Sequence, residues 1–129
     1  MGLARFVARP LLSSVFLAGG VDTFSHPERR AEQARPVIEQ MTSMVPALPQ
    51  DPILLVKANA ATQVFAATLM SVGILTRLSA LVLAASLVPT TFGGHRFWEH
   101  EEPASRAQQR THFLKNAAIL GGLLLVALD

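Results

Sequence analysis

The sequence predicts an all-α protein: an antiparallel bundle of four transmembrane helices, with a short amphipathic interfacial helix between the first two spans. Three observations lead there. Half of the residues are hydrophobic while only 16% are charged, which is far from the composition of an average soluble chain. The apolar residues gather into four runs, near residues 3–24, 53–74, 78–96 and 105–128, each close to the roughly 20 helical residues that cross a hydrocarbon core about 30 Å thick. The runs are hydrophobic all round rather than along one stripe, the pattern of a helix in lipid. With 129 residues in all, too little amphipathic sequence remains to wrap four such helices in a soluble fold. Residues 1–129 therefore read as a single integral membrane domain.

Composition also excludes several functions. The sequence pI of about 9.9 rests on a formal charge of only +2, and the basic residues are scattered without aromatic interleaving, so no nucleic-acid surface is expected. Cysteine is absent. Disulfides, thiolate metal sites, iron–sulfur ligation and thiol exchange are thereby removed.

In the first run, "PLLSSVFLAGGV" follows Arg5 and Arg9 as the apolar part of a secretory signal would; the run reads as a retained span, with long arginine side chains reaching to the headgroups. The polar connection 25–52 holds Pro27, Pro36, Pro46, Pro49 and Pro52. Within it Val37, Met41, Met44, Val45 and Leu48 fall at i, i+4, i+7, i+8 and i+11, with Pro36 suited to a first turn. That spacing predicts the amphipathic helix, lying on the membrane surface or capping the bundle. The link "LTRL" is so short that the second and third spans must be neighbours. Pro89 interrupts the hydrogen-bond ladder of the third span, and Thr90, Thr91 or a neighbouring helix is expected to satisfy the carbonyl it frees. Trp98, in the last connection, is typical of an interfacial anchor. Small residues at four-residue spacing mark expected packing seams: Ala58, Thr62 and Ala66 in the second span, Ala117 with Gly121 and Ala118 with Gly122 in the last. Such seams serve packing within one bundle or in a homo-oligomer.

Alternating four helices across a membrane puts the chain ends and the "LTRL" link on one side and both polar connections on the other. The second side collects nearly everything ionisable. Asp22 and His26 close the first span, Lys57 and Asn59 open the second, His95 and Arg96 end the third, and His112, Lys115 and Asn116 open the fourth. Residues 112, 115 and 116 share one helical face, as do Asn59 and Gln63. Lysine and histidine at span ends also serve as plain interfacial anchors. The amides are harder to explain that way, because an amide inside a bilayer needs a partner. Asp22 is expected to pair with Lys57, Lys115 or His112, either structurally or to handle a proton. The candidate ligand-binding set is thus Asp22, Lys57, Asn59, His95, His112, Lys115 and Asn116. A haem or metal is not expected: His95 and His112 lie near the interface, and no HxxxH or Glu-x-x-His pair occurs on a helix. Arginines on the two sides number six (29, 30, 35, 96, 106, 110) against three (5, 9, 77). The positive-inside rule would put the chain ends outside the cytoplasm, although Arg5 and Arg9 pull the other way.

The elements "RPLLSSVFLAGGVDTFSHP", "LVLAASLVPTTFGGHRFWE" and "QRTHFLKNAAILGGLLLVALD" together resemble the DoxX family of small four-helix bacterial membrane proteins, actinobacterial members in particular. "HFLKN" and the proline–threonine stretch leading to His95 and Trp98 are the most specific parts. The resemblance implies a multi-pass subunit of the bacterial cytoplasmic membrane linked to redox or sulfur metabolism or to oxidative-stress defence. It carries over Arg9, Asp22, His95, Phe97, Trp98, His112, Lys115 and Asn116, without catalytic roles. The leading expectation is a subunit whose bundle binds a quinone or similar amphipathic ligand, its polar head held by His112, Lys115 and Asn116, with Asp22 exchanging protons. The alternative is a scaffold that docks redox enzymes or a larger membrane complex through the surface helix and the acidic "EHEEP" loop. A transport path is disfavoured, since a lone four-helix bundle is small for one.

Overall fold

In the computed structural model, which describes residues 2–95 and 97–129, five α-helices and one 3-10 turn follow in the order α1 (Leu3–Ser25), α2 (Pro27–Met44), α3 (Pro52–Val72), α4 (Thr76–Gly94), the turn Phe97–Glu99, and α5 (Pro103–Leu128). Four segments, Leu3–Ser25, Pro52–Val72, Thr76–Glu99 and Pro103–Leu128, are long and apolar enough to cross a membrane. Their ends fall within a few residues of the four apolar runs. Arg96, placed by sequence in the polar cluster, lies outside the described residues.

Local chemistry sets the helix ends. Proline opens α2, α3 and α5 near the first turn, where its missing N–H would have no partner in any case. The Asp51 carboxylate caps α3 by accepting from the Ile53 amide at 3.0 Å. Helix α3 ends at Gly73, whose φ of 84° reverses the chain, and the Ile74 amide bonds back to the Leu69 carbonyl at 2.9 Å. Only residues 73–75 separate α3 from α4.

The connection 25–52 departs from expectation in its first half. Its helix begins at Pro27 rather than Pro36, and Pro36 lies inside α2. A proline at the first position starts the helix nine residues earlier than the apolar spacing suggests. Ala31 and Ile38 are buried, and α2 packs against α3 and α4. Exposed charged residues, among them Glu28, Arg29, Glu32, Arg35 and Glu39, occupy its other face.

Phe16 of α1, Ala66, Ala67 and Met70 of α3, Ala80, Leu83, Ala84 and Leu87 of α4 and Leu123 of α5 form one buried cluster. Four alanines among nine residues let the backbones approach, as packing without a hydrophobic force between helices requires. A close approach joins α1 to α3. A Cβ on Gly20 would stand 2.6 Å from Val64 Cγ2 and 3.1 Å from the Ala60 carbonyl oxygen. Of the expected small-residue seams, Ala66 joins the buried cluster, whereas Ala58, Thr62, Ala117 and Ala118 are exposed, Gly121 has open space where a Cβ would go, and Gly122 meets only Leu12. Helices that are apolar on every side carry no phase from which to read which small residue faces a neighbour.

At one end of the molecule Asp129 gathers three arginines. Arg5 Nη2 donates to its carboxylate at 2.6 Å, Arg9 Nη2 stands 3.9 Å away, and Arg77 Nη2 donates to its main-chain oxygen at 2.6 Å. This contact joins the start of α1, the start of α4 and the end of α5.

Candidate functional site

Toward the other end, polar side chains in three helices close on one another. Asn59 of α3 donates through Nδ2 to Thr90 Oγ1 at 3.0 Å and accepts at Oδ1 from Ser86 Oγ at 2.6 Å. One turn further along, Gln63 donates through Nε2 to Ser86 Oγ at 2.9 Å and Thr90 Oγ1 at 3.2 Å. Thr90 passes its own hydrogen to the Ser86 carbonyl at 3.0 Å. One residue on, Thr91 Oγ1 accepts from Asn116 Nδ2 of α5 at 3.0 Å and donates to the Leu87 carbonyl. Gln63, Ser86, Thr91 and Asn116 are all buried. Buried amides and hydroxyls need such partners, and this lattice supplies them between helices. The two threonine hydroxyls serve the Ser86 and Leu87 carbonyls, and neither serves the Ala85 carbonyl that Pro89 deprives of its ladder partner.

Next to the lattice is a cavity of about 390 Å³ with walls from all five helices. Its polar lining comprises Thr23, Arg30, Asn59, Thr62, Gln63, Thr90, His95, Lys115 and Asn116; Val15, Phe16, Val37, Ile38, Met41, Leu48, Leu55 and Ile119 are among the apolar residues. This volume, and walls that are mostly apolar with a few polar groups, fall within the range of small-molecule sites.

His95, at the end of α4, sets its Nδ1 2.8 Å from Gln109 Oε1. With the amide oxygen as acceptor, Nδ1 carries the hydrogen. The His95 ring also stacks on that of His112, with centroids 5.0 Å apart and planes inclined by 22°. The two imidazoles therefore face each other directly instead of facing a shared gap. Below them Phe92, Phe97, Trp98 and Phe113 pack with centroids 5.2 to 6.0 Å apart in tilted and edge-to-face pairs. This cluster holds the 3-10 turn against α5.

Four of the seven sequence-selected residues, Asn59, His95, Lys115 and Asn116, line the cavity. His112 reaches it only through its stack on His95. Lys57 sits on the same helix as Asn59 but turns to Phe24, its Nζ 5.3 Å from the ring centroid. Asp22 is exposed and faces His26 one turn on, with Oδ1 3.9 Å from Nδ1. It makes no contact with Lys57, Lys115 or His112, so the expected counter-ion arrangement is absent. The physical reason is again rotational phase: a residue's level along an all-apolar helix is readable, but the side on which it emerges is not.

Sequence reasoning missed Arg30. It lies in the first turns of α2, within a segment read as loop, and α2 carries it into the cavity wall. The signal that could have found it is Pro27 with Glu28, an N-terminal helix pattern three residues before Arg30. Gln109, the partner of His95, was likewise unselected.

The family model described as DoxX matches residues 4–96, nearly three quarters of the chain. The match takes in α1 to α4 and stops short of α5, which carries the "HFLKN" element. No curated protein and no solved structure matches the chain.

Proposed function

The chain belongs to the DoxX family and is a multi-pass membrane protein, and from that premise we propose that it is a bacterial cytoplasmic-membrane subunit, linked to redox or sulfur metabolism, whose bundle binds a quinone or similar amphipathic ligand. The cavity carries this reading. About 390 Å³ of space has aliphatic walls for a chain and His95, Lys115 and Asn116 to meet a polar head, the two elements that recognition of an amphiphile requires. Asn59 and Gln63 shape the wall while their hydrogen bonds are used on α4.

The spans form an antiparallel bundle in this proposal. Two facts support it: Asn59 near the start of α3 meets Thr90 near the end of α4, and Arg5 at the start of α1 meets Asp129 beyond α5. Helix α2 is the interfacial element, its charged face toward water and headgroups and Ile38 toward the bundle. Protein purified from the membrane in mild detergent and extracted with organic solvent should yield bound quinone. A Lys115→Ala variant should bind added quinone several-fold more weakly. No retained quinone, together with unchanged affinity in the variant, would count against the reading.

The exposed acidic residues of "EHEEP", Glu99, Glu101 and Glu102, favour a second reading, a scaffold that docks redox enzymes or a larger membrane complex. Removing α2 would not test it cleanly, since Ala31 and Ile38 are buried in the bundle. Glu101 and Glu102 are exposed, so neutralising them should leave the bundle intact. Loss of co-purifying partners in that variant, with quinone retention unchanged, would select the scaffold.

A further inference from the structure

We infer that the head group this cavity accepts is anionic. The inference rests on the ligand-binding reading above and narrows it. The cavity lining contains two basic side chains, Arg30 and Lys115, with His95 beside them, and no aspartate or glutamate. Arg30 of α2, His95 at the end of α4 and Lys115 of α5 all line this one cavity, and His112 stacks on His95 behind it, so basic groups from three helices meet at the same wall.

The nearby carboxylates are engaged elsewhere or turned away. Glu32 is held by Arg35 at 2.9 Å, Asp22 faces His26, and Glu28 is exposed. Among the described residues neither Arg30 nor Lys115 makes an ion pair or hydrogen bond. Two like charges beside an apolar cavity repel each other more strongly than in water, and an anion placed between them relieves both that repulsion and the lost hydration. A neutral head could accept their hydrogen bonds but would leave both charges uncompensated. The amides cannot substitute, because Asn59, Gln63 and Asn116 are neutral: they donate to α4, and any hydrogen left over would meet a head group without offsetting a charge. Charge is therefore the property by which this wall discriminates among amphiphiles of similar shape.

The test uses the full chain in phosphatidylcholine nanodiscs and two matched probes: a 2-hydroxy-3-alkyl-1,4-naphthoquinone, anionic at neutral pH, and its neutral O-methyl ether. The anion should bind at least about tenfold more tightly. That preference should vanish in the double variant Arg30→Gln, Lys115→Gln and persist in Arg30→Lys, Lys115→Arg, in which the charge remains. Both positions are at least partly exposed, and circular dichroism of each variant checks that it folds. If the ether binds as tightly as the anion, or the preference survives the double Gln variant, the inference is overturned while the amphiphile reading stands. If neither probe binds, both fall. Repeating the titration in discs containing phosphatidylglycerol separates two sources of the same chemistry. Loss of the anionic probe there identifies the natural head as a phospholipid's, and retention identifies a separate amphiphile; either result sustains the charge preference.

Discussion

The α1–α3 interface and the α3–α4–α5 interface hold helices together by different means. Between α1 and α3 there is close apposition: Gly20 sets its backbone against Ala60 and Val64, Phe16 is buried, and Ser13 Oγ of α1 is buried without a hydrogen-bond partner. Among α3, α4 and α5 there is a lattice of side-chain hydrogen bonds centred on Ser86, Thr90 and Thr91. Lipid tails are as apolar as the helices, so either device can supply specificity where the hydrophobic effect does not. The difference shows where polar groups are tolerated inside the bundle: beside the cavity, where they hold α4 in register with both neighbours.

The largest change should come from attacking apposition. Gly20→Val would force a Cβ to within 2.6 Å of Val64 Cγ2, and overpacking of this kind typically destabilises by about 1–3 kcal/mol. Thermal unfolding in detergent should show it as a clear fall in midpoint. A midpoint unchanged by the valine would mean that α1 is not held through this seam. Next is the lattice. Thr90→Val removes the acceptor of two amide donors while keeping the shape, and should cost about 1–2 kcal/mol. If it proved neutral, the lattice would be incidental to the fold. Smallest is Ser13→Ala, which discards a hydroxyl that is buried without a partner. It should leave stability unchanged or raise it by up to about 1 kcal/mol, and a loss of similar size would show that α1 too depends on a polar tie.

What was legible in the sequence follows from the same physics. The four spans could be read almost to their ends, because a run of some 20 apolar residues has one natural reading. The level of Asn59, His95, Lys115 and Asn116 could be read too, since level depends only on distance along a helix. Rotation could not. Asp22 and Lys57 lie at the expected level yet face His26 and Phe24, and the Ala117–Gly121 pair faces outward. Helix α2 is amphipathic and its rotation was readable in part: Val37 and Met41 line the cavity as their spacing implies, while Met44 and Val45, at the end of the same stripe, are exposed. Its start was misplaced because Pro36, which sits inside the helix, looks in sequence like a beginning. Arg30 was lost with those nine residues.

Because every helix contributes to the wall of the cavity, filling it is thermodynamically a property of the whole fold. A molecule bound only when five segments are assembled acts as a sixth packing element, and mass action alone would raise apparent stability by about 2.7 kcal/mol at a concentration a hundredfold above its dissociation constant. A melting curve can thus serve as a detector for any molecule that binds there, and lipid or metabolite fractions could be screened by the temperature at which the helices come apart.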